Sequence, residues 1–144
     1  SKDGTGRRLD EIARGDPRLR VVHIAECPGG WLGKCHALQR GVDASSGEWI
    51  LFADGDVRLH PAALKVAGRR AAEGGDDLLS LYPKNLARSV WMRALFTEIL
   101  VLGIVLLGFW LPSRRRQGFM ASAAGAFILV RRTAYEAAGG HETL

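Results

Sequence analysis

Two aspartates separated by one glycine end an apolar run in the stretch WILFADGD, residues 49–56. Two carboxylates held this close repel each other unless a cation neutralises them. Mg²⁺ is typically held by one or two carboxylates together with substrate phosphates and water, so Asp54 and Asp56 are candidate ligands for Mg²⁺ or Mn²⁺. Gly55 between them would allow an unusual turn and the close approach of a ligand. Asp-Gly is also a common turn, so two solvated turn carboxylates are the competing interpretation.

A glycine-rich stretch, CPGGWLGKCHAL at residues 27–38, is the second candidate site. Its glycines, followed by Lys34 and a predicted helix, are typical of a loop that presents backbone N–H groups and a lysine to an anion. The stretch is not a P-loop, because Pro28 stands where that motif needs glycine and Cys35 replaces its hydroxyl residue. The competing interpretation is a glycine turn with an exposed lysine and with Trp31 packed on the core.

Hydrophobic periodicity predicts helices alternating with strands. The predicted helices cover residues of about 6–14, 33–47, 60–75 and 131–140, and the predicted strands cover 19–26, 48–54, 77–83 and 125–132. The strand at 48–54 is apolar at nearly every position, which is typical of a parallel strand covered on both faces. The pattern predicts an α/β fold with a mostly parallel sheet. Ligands bind beyond the carboxyl ends of such strands, where Asp54 and Asp56 lie.

Composition places the chain among globular proteins of one domain, with 144 residues of which 47% are hydrophobic. The net charge of +5 indicates an anionic partner, for which nucleic acid, a nucleotide or an acidic lipid surface would each serve. Cys27 and Cys35 form no CxxC pair and have no paired histidine spacing, so neither a disulfide framework nor a zinc site is indicated. A reducing compartment is expected.

Three blocks, in this order, resemble glycosyltransferase family 2: SKDGTG, then PGGWLGKCHALQRGVDASSGEWILFADGDV, then SAAGAFILVRRTAYEAAGGHE. Within that family the chain is most similar to the membrane-associated bacterial branch that includes hopanoid-linked glycosyltransferases. The resemblance implies a Rossmann-like GT-A core, the fold of nucleotide-diphospho-sugar transferases. Residues 1–144 would then be a partial GT-A domain truncated at both ends, lacking the first strand and the downstream catalytic acidic pair.

The resemblance also implies a donor site. Asp54 and Asp56 would be the DxD element, with Mg²⁺ or Mn²⁺ bridging them to the diphosphate of a nucleotide sugar, most commonly a UDP-sugar. Lys34 would lie near the donor nucleotide or diphosphate. Asp3 matches an acidic position near the nucleotide, although it is equally well placed to cap the first helix.

On the acceptor side, the resemblance implies that the loop of Gly139, Gly140 and His141 borders the second substrate. Gly125 and Ala126 would let the backbone approach the sugar. The usual base of the family is an aspartate that would lie beyond Leu144, so no catalytic residue is assigned. Glu142 is close in sequence, but a glutamate after a helix is more often solvated.

The reaction implied is sugar transfer with inversion, to a lipid or lipid-linked membrane acceptor at the cytoplasmic face of the bacterial inner membrane. The metal and Lys34 would stabilise charge on the leaving diphosphate. We expect little or no turnover from residues 1–144 alone.

An apolar stretch at residues 94–111, interrupted by Glu98, raises the question of membrane contact. A spanning helix needs about 20 predominantly apolar residues, and a single crossing would separate the two halves of the implied site. Basic residues flank both sides, so there is no positive-inside asymmetry. They are Lys84, Arg88 and Arg93 before the stretch and Arg114, Arg115 and Arg116 after it. We expect a helix at about 91–111 lying in the interface. A buried core helix and a true span are the alternatives.

Other classes of function remain open. A metal-dependent nucleotidyltransferase-like enzyme could use the same paired aspartates, and a non-catalytic module could bind a membrane surface. Nucleic acid is not the expected partner, because the arginines gather beside an apolar helix instead of alternating with exposed aromatic residues.

Overall fold

A computed structural model of the chain describes residues 3–84, 86, 89–106 and 123–142. The chain divides into two compact units. The first comprises residues 1–50 and 131–144, and the second comprises residues 51–130.

The described residues form helices and strands in an alternating order that agrees closely with the sequence patterns. The helices are α1 Thr5–Ala13, α2 Gly33–Asp43, α3 Ala63–Gly74, α4 Val90–Leu106 and α5 Arg132–Ala137. The strands are β1 Trp49–Ala53, β2 Leu78–Ser80 and β3 Phe127–Arg131. The predicted helix at 91–111 corresponds to α4 as far as Leu106, and its remainder, with Arg114 to Arg116, lies outside the described residues.

The strand predicted at residues 19–26 is wrong, because this segment has no regular secondary structure. A β-branched run becomes a strand only where a neighbouring strand accepts and donates its ladder hydrogen bonds. No such neighbour pairs with this run among the described strands. Val22 and Ile24 are each 37% exposed, so the run lacks the burial that a central strand would have.

The described sheet has three strands in the order β1-β3-β2. Strands β2 and β3 are antiparallel, with Leu79 opposite Leu129. The backbone N–H of Arg132 donates to the carbonyl of Glu48 at 2.8 Å, which places the end of β3 beside the start of β1. This small sheet differs from the mostly parallel sheet that was predicted. The alternation of helices and strands did not determine the direction of the β2–β3 pair, because a long connection between two strands is compatible with either direction.

In the second unit, burial is concentrated on β3 and on α3, the helix that contacts β2. The buried apolar residues there are Ala67, Ala71, Phe127, Leu129 and Val130. The first unit has a smaller core whose buried residues are Val42, Ile50 and Tyr135. Residues 48–54 were predicted to form a strand covered on both faces, but in β1 only Ile50 is buried. The strand with buried residues on both faces is the central strand β3.

Helix α4 is apolar along most of its 17 residues. None of the helices formed by the described residues has both the length and the apolar character that crossing a membrane requires.

An arginine holds the loop before β1 against the start of α5 in the first unit. The Arg132 guanidinium donates to the carbonyl of Gly47 at 2.7 Å and to the Ser45 hydroxyl at 2.8 Å. Its side chain is 20% exposed, and because the donor is charged these hydrogen bonds are stronger than neutral ones. Next to it, Arg131 pairs with Glu48 at 2.8 Å and lies 4.5 Å from the centre of the Trp49 ring. The start of β1 is therefore fixed by two consecutive arginines.

We predict that Arg132→Lys lowers the free energy of unfolding by about 1–3 kcal/mol. A lysine has the charge but lacks the planar fork that reaches two oxygens at once. Urea denaturation measures the change, and Arg70→Lys, at an exposed position of α3, is the control. If both variants lose the same stability, the Arg132 hydrogen bonds do not have the structural role described above.

Candidate functional site

The two aspartates of the DGD stretch lie on one tight turn directly after β1. The N–H of Val57 donates to the carbonyl of Asp54 at 3.2 Å, which closes a four-residue turn. Asp54 is half-buried and Asp56 is exposed. Gly55 does not have a positive φ angle, so the turn itself does not need a glycine. No described atom outside its chain neighbours lies within 4 Å of the position that a Cβ would occupy at Gly55. The absence of a side chain therefore keeps the backbone open at the turn.

The donor set at this turn fits a hard divalent cation whose coordination is completed by other oxygen ligands. Asp54 and Asp56 offer carboxylate oxygens from the same turn, which is the kind of partial cage that Mg²⁺ or Mn²⁺ accepts from a protein. Over the described ranges, no cluster of three or more His, Cys, Asp and Glu side chains could hold a metal by itself. Any metal at the turn would therefore depend on phosphate oxygens and water for most of its ligands.

Lys34 lies in the first turn of α2 and is exposed. The preceding loop turns through Gly30, which has a φ of +88°, and through a hydrogen bond from the Trp31 N–H to the Pro28 carbonyl at 3.3 Å. Leu32, at the N-cap, contributes no side-chain hydrogen bond to the start of the helix. Lys34 therefore lies at the N-terminus of α2, where the positive end of the helix dipole is also found, as predicted for an anion site.

Two ring systems pack where this loop meets α2. The rings of Trp31 and His36 contact each other edge to face, with 5.4 Å between their centres. Nδ1 of His36 is buried and has no hydrogen-bond partner among the described residues. Both rings are half-buried, which agrees with the interpretation that Trp31 packs on the protein.

Asp3 lies just before α1. Its Oδ1 accepts hydrogen bonds from the backbone N–H of Thr5 at 3.0 Å and from the Thr5 hydroxyl at 2.7 Å. Since Thr5 is the first residue of the helix, these bonds satisfy one of its otherwise unpaired donors. The N-cap is Gly4 and α1 has no side-chain cap hydrogen bond, so Asp3 is not the N-cap and instead binds the first helical residue from the position before Gly4. Its role near a nucleotide stays a prediction.

The two glycines of the predicted acceptor loop end helix α5. Gly139 has a φ of +84° and Gly140 a φ of +61°, a region that glycine enters without steric cost. The N–H of Gly140 donates to the carbonyl of Tyr135, and the N–H of Gly139 donates to that of Glu136. This pair of bonds defines a Schellman motif. A Cβ on Gly140 would lie 2.8 Å from Oε1 of Gln39, so the second glycine is also required by close packing against α2.

The catalytic base was predicted to lie beyond Leu144, and the structure adds no candidate for it at this end of the chain. Leu144 itself lies outside the described residues, which stop at Glu142. Glu142 is exposed, in agreement with the expectation that it is solvated. The position of the base therefore stays a prediction.

Gln39 joins helix α2 to the glycine loop. Its Oε1 accepts the Tyr135 hydroxyl at 2.7 Å and the backbone N–H of His141 at 3.2 Å. Its Nε2 donates to the Asp43 carboxylate at 3.0 Å. The amide orientation is therefore determined by a carboxylate on one side and two donors on the other. The position of the His141 backbone depends on a residue that the sequence patterns did not single out.

The same network determines the tautomer of His141. The Tyr135 oxygen lies 2.6 Å from Nδ1 of His141. Because the single hydroxyl proton of Tyr135 is donated to Gln39, Nδ1 must carry a proton and donate to the tyrosine oxygen. In the neutral ring, Nε2 is then the hydrogen-bond acceptor.

Gly125 and Ala126 form a turn immediately before β3, closed by a bond from the Phe127 N–H to the Ala124 carbonyl at 3.2 Å. Ser80 holds this turn beside β2, because its hydroxyl oxygen accepts the Ala124 N–H at 2.8 Å. No described atom outside its chain neighbours lies within 4 Å of a Cβ position at Gly125. The backbone is open there, as the predicted approach of a sugar would need.

The structure groups the predicted site residues within the two units. Asp54 and Asp56 share one turn in the second unit. Lys34 belongs to the first unit, together with the loop at 139–141. Within that unit α2 connects them, since Lys34 and Gln39 are five residues apart, about 7.5 Å along the helix axis.

The sequence patterns missed Gln39 and Tyr135. Neither residue lies in a recognisable motif, and both acquire their role only through packing between helices that are distant in the chain. The spacing of Tyr135 to the glycine pair is the one local signal that could have placed it near the helix end.

Burial affects two members of this network. It raises the pKa of the Tyr135 hydroxyl, which therefore stays a proton donor at neutral pH. It also lowers the pKa of the His141 imidazole, because the charged ring is poorly solvated in its half-buried position. Burial therefore favours the neutral form of His141 in the folded protein.

We predict that the protein loses stability as the pH falls below about 6.5, the ordinary pKa of histidine. His141 has a lower pKa in the folded state, so the unfolded chain takes up the proton first as the solution is acidified. Urea midpoints at pH 7.5 and pH 5.5 should therefore differ less in His141→Asn than in the wild type. His60→Asn, at an exposed histidine, is the control. An equal acid-induced loss in the wild type and His141→Asn would contradict the assignment.

A family model described as "Glycosyl transferase family 2" matches residues 1–139. Neither the curated proteins nor the solved structures yielded a match to the chain. The family match covers nearly all of the 144 residues and includes the DGD turn, the start of α2 and the first glycine that ends α5. The chain therefore belongs to glycosyltransferase family 2.

Proposed function

We propose that the chain binds a nucleotide-diphosphate sugar through Mg²⁺ or Mn²⁺ at the turn of Asp54 and Asp56, and that the sugar is transferred to a lipid or other membrane-associated acceptor. The observation that carries this proposal is the placement of both carboxylates on one open turn at the end of β1. Family membership supports the general class, since it implies a glycosyltransferase-type enzyme with a nucleotide-sugar donor and an acceptor. Members of the family commonly use divalent metals.

On the donor side, Asp54 and Asp56 would hold the metal. When bound, Mg²⁺ or Mn²⁺ would neutralise charge on the diphosphate leaving group. Lys34, in the first turn of α2, would lie near the donor nucleotide or diphosphate and would stabilise its negative charge. Asp3 would contact the nucleotide. We propose that the donor is a UDP-sugar. The open backbone at Gly55 is consistent with a ligand passing close to the turn.

On the acceptor side, the loop of Gly139, Gly140 and His141 would border the acceptor. Its backbone is held in place by the Schellman motif and by Gln39, so it can offer a defined surface without rearranging. The neutral imidazole of His141 would orient an acceptor hydroxyl. The proposal assigns no catalytic base. Inversion at the anomeric carbon is part of the proposal.

The proposal of a membrane-associated acceptor is supported by α4. Nine large apolar side chains on this helix are exposed, and Trp91 is 85% exposed. They are Val90, Trp91, Met92, Leu95, Phe96, Ile99, Leu100, Val101 and Leu102. Contiguous apolar surface of this kind marks a site of interaction with a partner or a membrane. We propose that α4 lies in the interface at the cytoplasmic face of a bacterial inner membrane, as in the hopanoid-associated branch that the sequence resembles.

We predict that uridine diphosphate binds to the chain only when Mg²⁺ or Mn²⁺ is present. Asp54→Asn and Asp56→Asn should each weaken this binding by at least about tenfold, because loss of a first ligand costs no less than loss of its supporting groups. Isothermal titration calorimetry measures the affinity, and excess EDTA should abolish binding by the wild type.

The matched control is Asp76→Asn, which removes another half-buried carboxylate of the second unit, before β2. It should bind like the wild type. Metal-independent binding, or equal weakening in all three variants, would contradict the role of the DGD turn. Tighter binding of a nucleoside triphosphate than of a nucleoside diphosphate and its sugar conjugate would instead favour a nucleotidyltransferase.

We predict that Gly55→Ala leaves the free energy of unfolding within about 0.5 kcal/mol of the wild type, as for an ordinary surface change. The φ angle at Gly55 is not left-handed, and an added Cβ would meet no described atom. Metal-dependent uridine diphosphate binding should nevertheless weaken, because the methyl group would intrude where the donor approaches the backbone. Unchanged affinity would show that the ligand does not pass close to this turn.

A further inference from the structure

A cavity of about 470 Å³ lies between α4 and the segment that follows β2. Its volume is in the range of about 300–1,000 Å³ that is usual for small-ligand sites. Tyr82 and Lys84 line it from the segment, while Arg93, Phe96 and Leu100 are among the residues that line it from α4. All of them belong to the second unit. The cavity is therefore formed within one compact part of the chain.

The wall contributed by α4 changes from charged to apolar along the helix. Arg93, Phe96 and Leu100 recur at spacings of three and four residues, which places them on one helix face. The rise of a helix puts Leu100 about 10 Å from Arg93 along the axis. Thr97 also lines the cavity, but its hydroxyl donates to the Arg93 carbonyl at 2.8 Å. The part of this wall beyond Arg93 is therefore effectively apolar.

Two positive charges line the same cavity. Neither Lys84 nor Arg93 makes an ion pair with another residue in the described part of the chain. Both are exposed, so they can reach a ligand without first breaking a contact. A cavity with two such cations and an apolar wall is complementary to a molecule that has an anionic group at one end and a hydrocarbon chain at the other.

We propose that this cavity binds one lipid molecule with a phosphate headgroup, taken from the membrane. The headgroup phosphate is held by Arg93 and Lys84, and the chain lies against Phe96 and Leu100. The inference rests on the proposed function and deepens it, because it gives the membrane-associated side of the reaction a defined binding site. Free inorganic phosphate lacks the chain that the apolar wall requires, and a neutral lipid lacks the charge that the two cations require.

The first experiment measures partition of the protein onto vesicles of phosphatidylcholine with and without phosphatidic acid. The wild type should prefer the anionic vesicles. Lys84→Gln/Arg93→Gln should lower that affinity by about 30-fold, since each cation at an anionic surface contributes about 1 kcal/mol. Lys65→Gln/Arg70→Gln removes the same charge from the exposed surface of α3 and should change the affinity by less than about threefold. If both double variants lose the same affinity for anionic vesicles, the effect is a general attraction between charged surfaces, and the proposal is overturned.

The second experiment distinguishes the binding of one lipid molecule in the cavity from general attraction of the protein to a lipid surface. A short-chain phosphatidic acid, used below its micelle concentration, should bind to the wild type with a stoichiometry of one. Inorganic phosphate at the same concentration should not bind. Leu100→Asn should weaken lipid binding by about tenfold, whereas Leu102→Asn, at an exposed α4 residue that does not line the cavity, should not. Binding of phosphate alone, no saturable lipid binding, or equal effects of the two variants would each overturn the proposal.

Metal-dependent binding of uridine diphosphate, measured on the same variants, distinguishes the two proposals. The cavity variants should retain it, which also shows that they are folded. If the wild type binds the nucleotide but the cavity variants bind lipid normally, only the cavity proposal fails. If the wild type binds lipid through the cavity but no nucleotide, the donor site at Asp54 and Asp56 fails.

Discussion

The hydrogen bonds of Arg132 to the loop before β1 are the constraint on which the internal arrangement of the first unit depends. One guanidinium and one backbone N–H join the start of α5 to Ser45, Gly47 and Glu48. Because the donor is a charged guanidinium, its hydrogen bonds are stronger than those of a neutral donor. These bonds determine where β1 begins, and β1 leads after five residues to the turn of Asp54 and Asp56. At the other end of α5, Tyr135 and the glycine pair contact Gln39 on α2, the helix whose first turn carries Lys34.

Local patterns were sufficient to predict most of the elements. All the helices and three of the strands form where periodicity and Gly or Pro signals placed them, because those signals act over a few residues. The strand predicted at residues 19–26 failed, since a strand also needs a partner, and the partner is not a property of the segment. The direction of pairing could not be predicted for the same reason. It is a property of two strands that are distant in the chain, and the periodicity within one strand does not contain this information.

The candidate site divides in a similar way. Short motifs were sufficient to predict Asp54, Asp56 and Lys34 as site residues. The structure supports the predicted turn at the two aspartates and the predicted helix start at Lys34. Asp3 was predicted both to cap a helix and to lie near the nucleotide, but Gly4 is the N-cap and Asp3 binds only Thr5 from the position before it. Gly139 and Gly140 were predicted on the acceptor side, and the structure adds a local reason for both glycines in the end of α5. Gln39 had no signal in the sequence, and the only local signal for Tyr135 was its spacing to the glycine pair. A network between helices that are distant in the chain becomes visible only when the chain is folded.

The central claim is that a divalent cation joins the Asp54 and Asp56 carboxylates to the diphosphate of the donor. Paramagnetic broadening of backbone amide signals by Mn²⁺, with and without uridine diphosphate, tests this claim most directly. We expect strong broadening centred on residues 54–57 that requires the nucleotide and disappears in Asp54→Asn. Broadening centred on other acidic residues, such as Asp76, or broadening at the turn that is indifferent to the nucleotide, would contradict the claim.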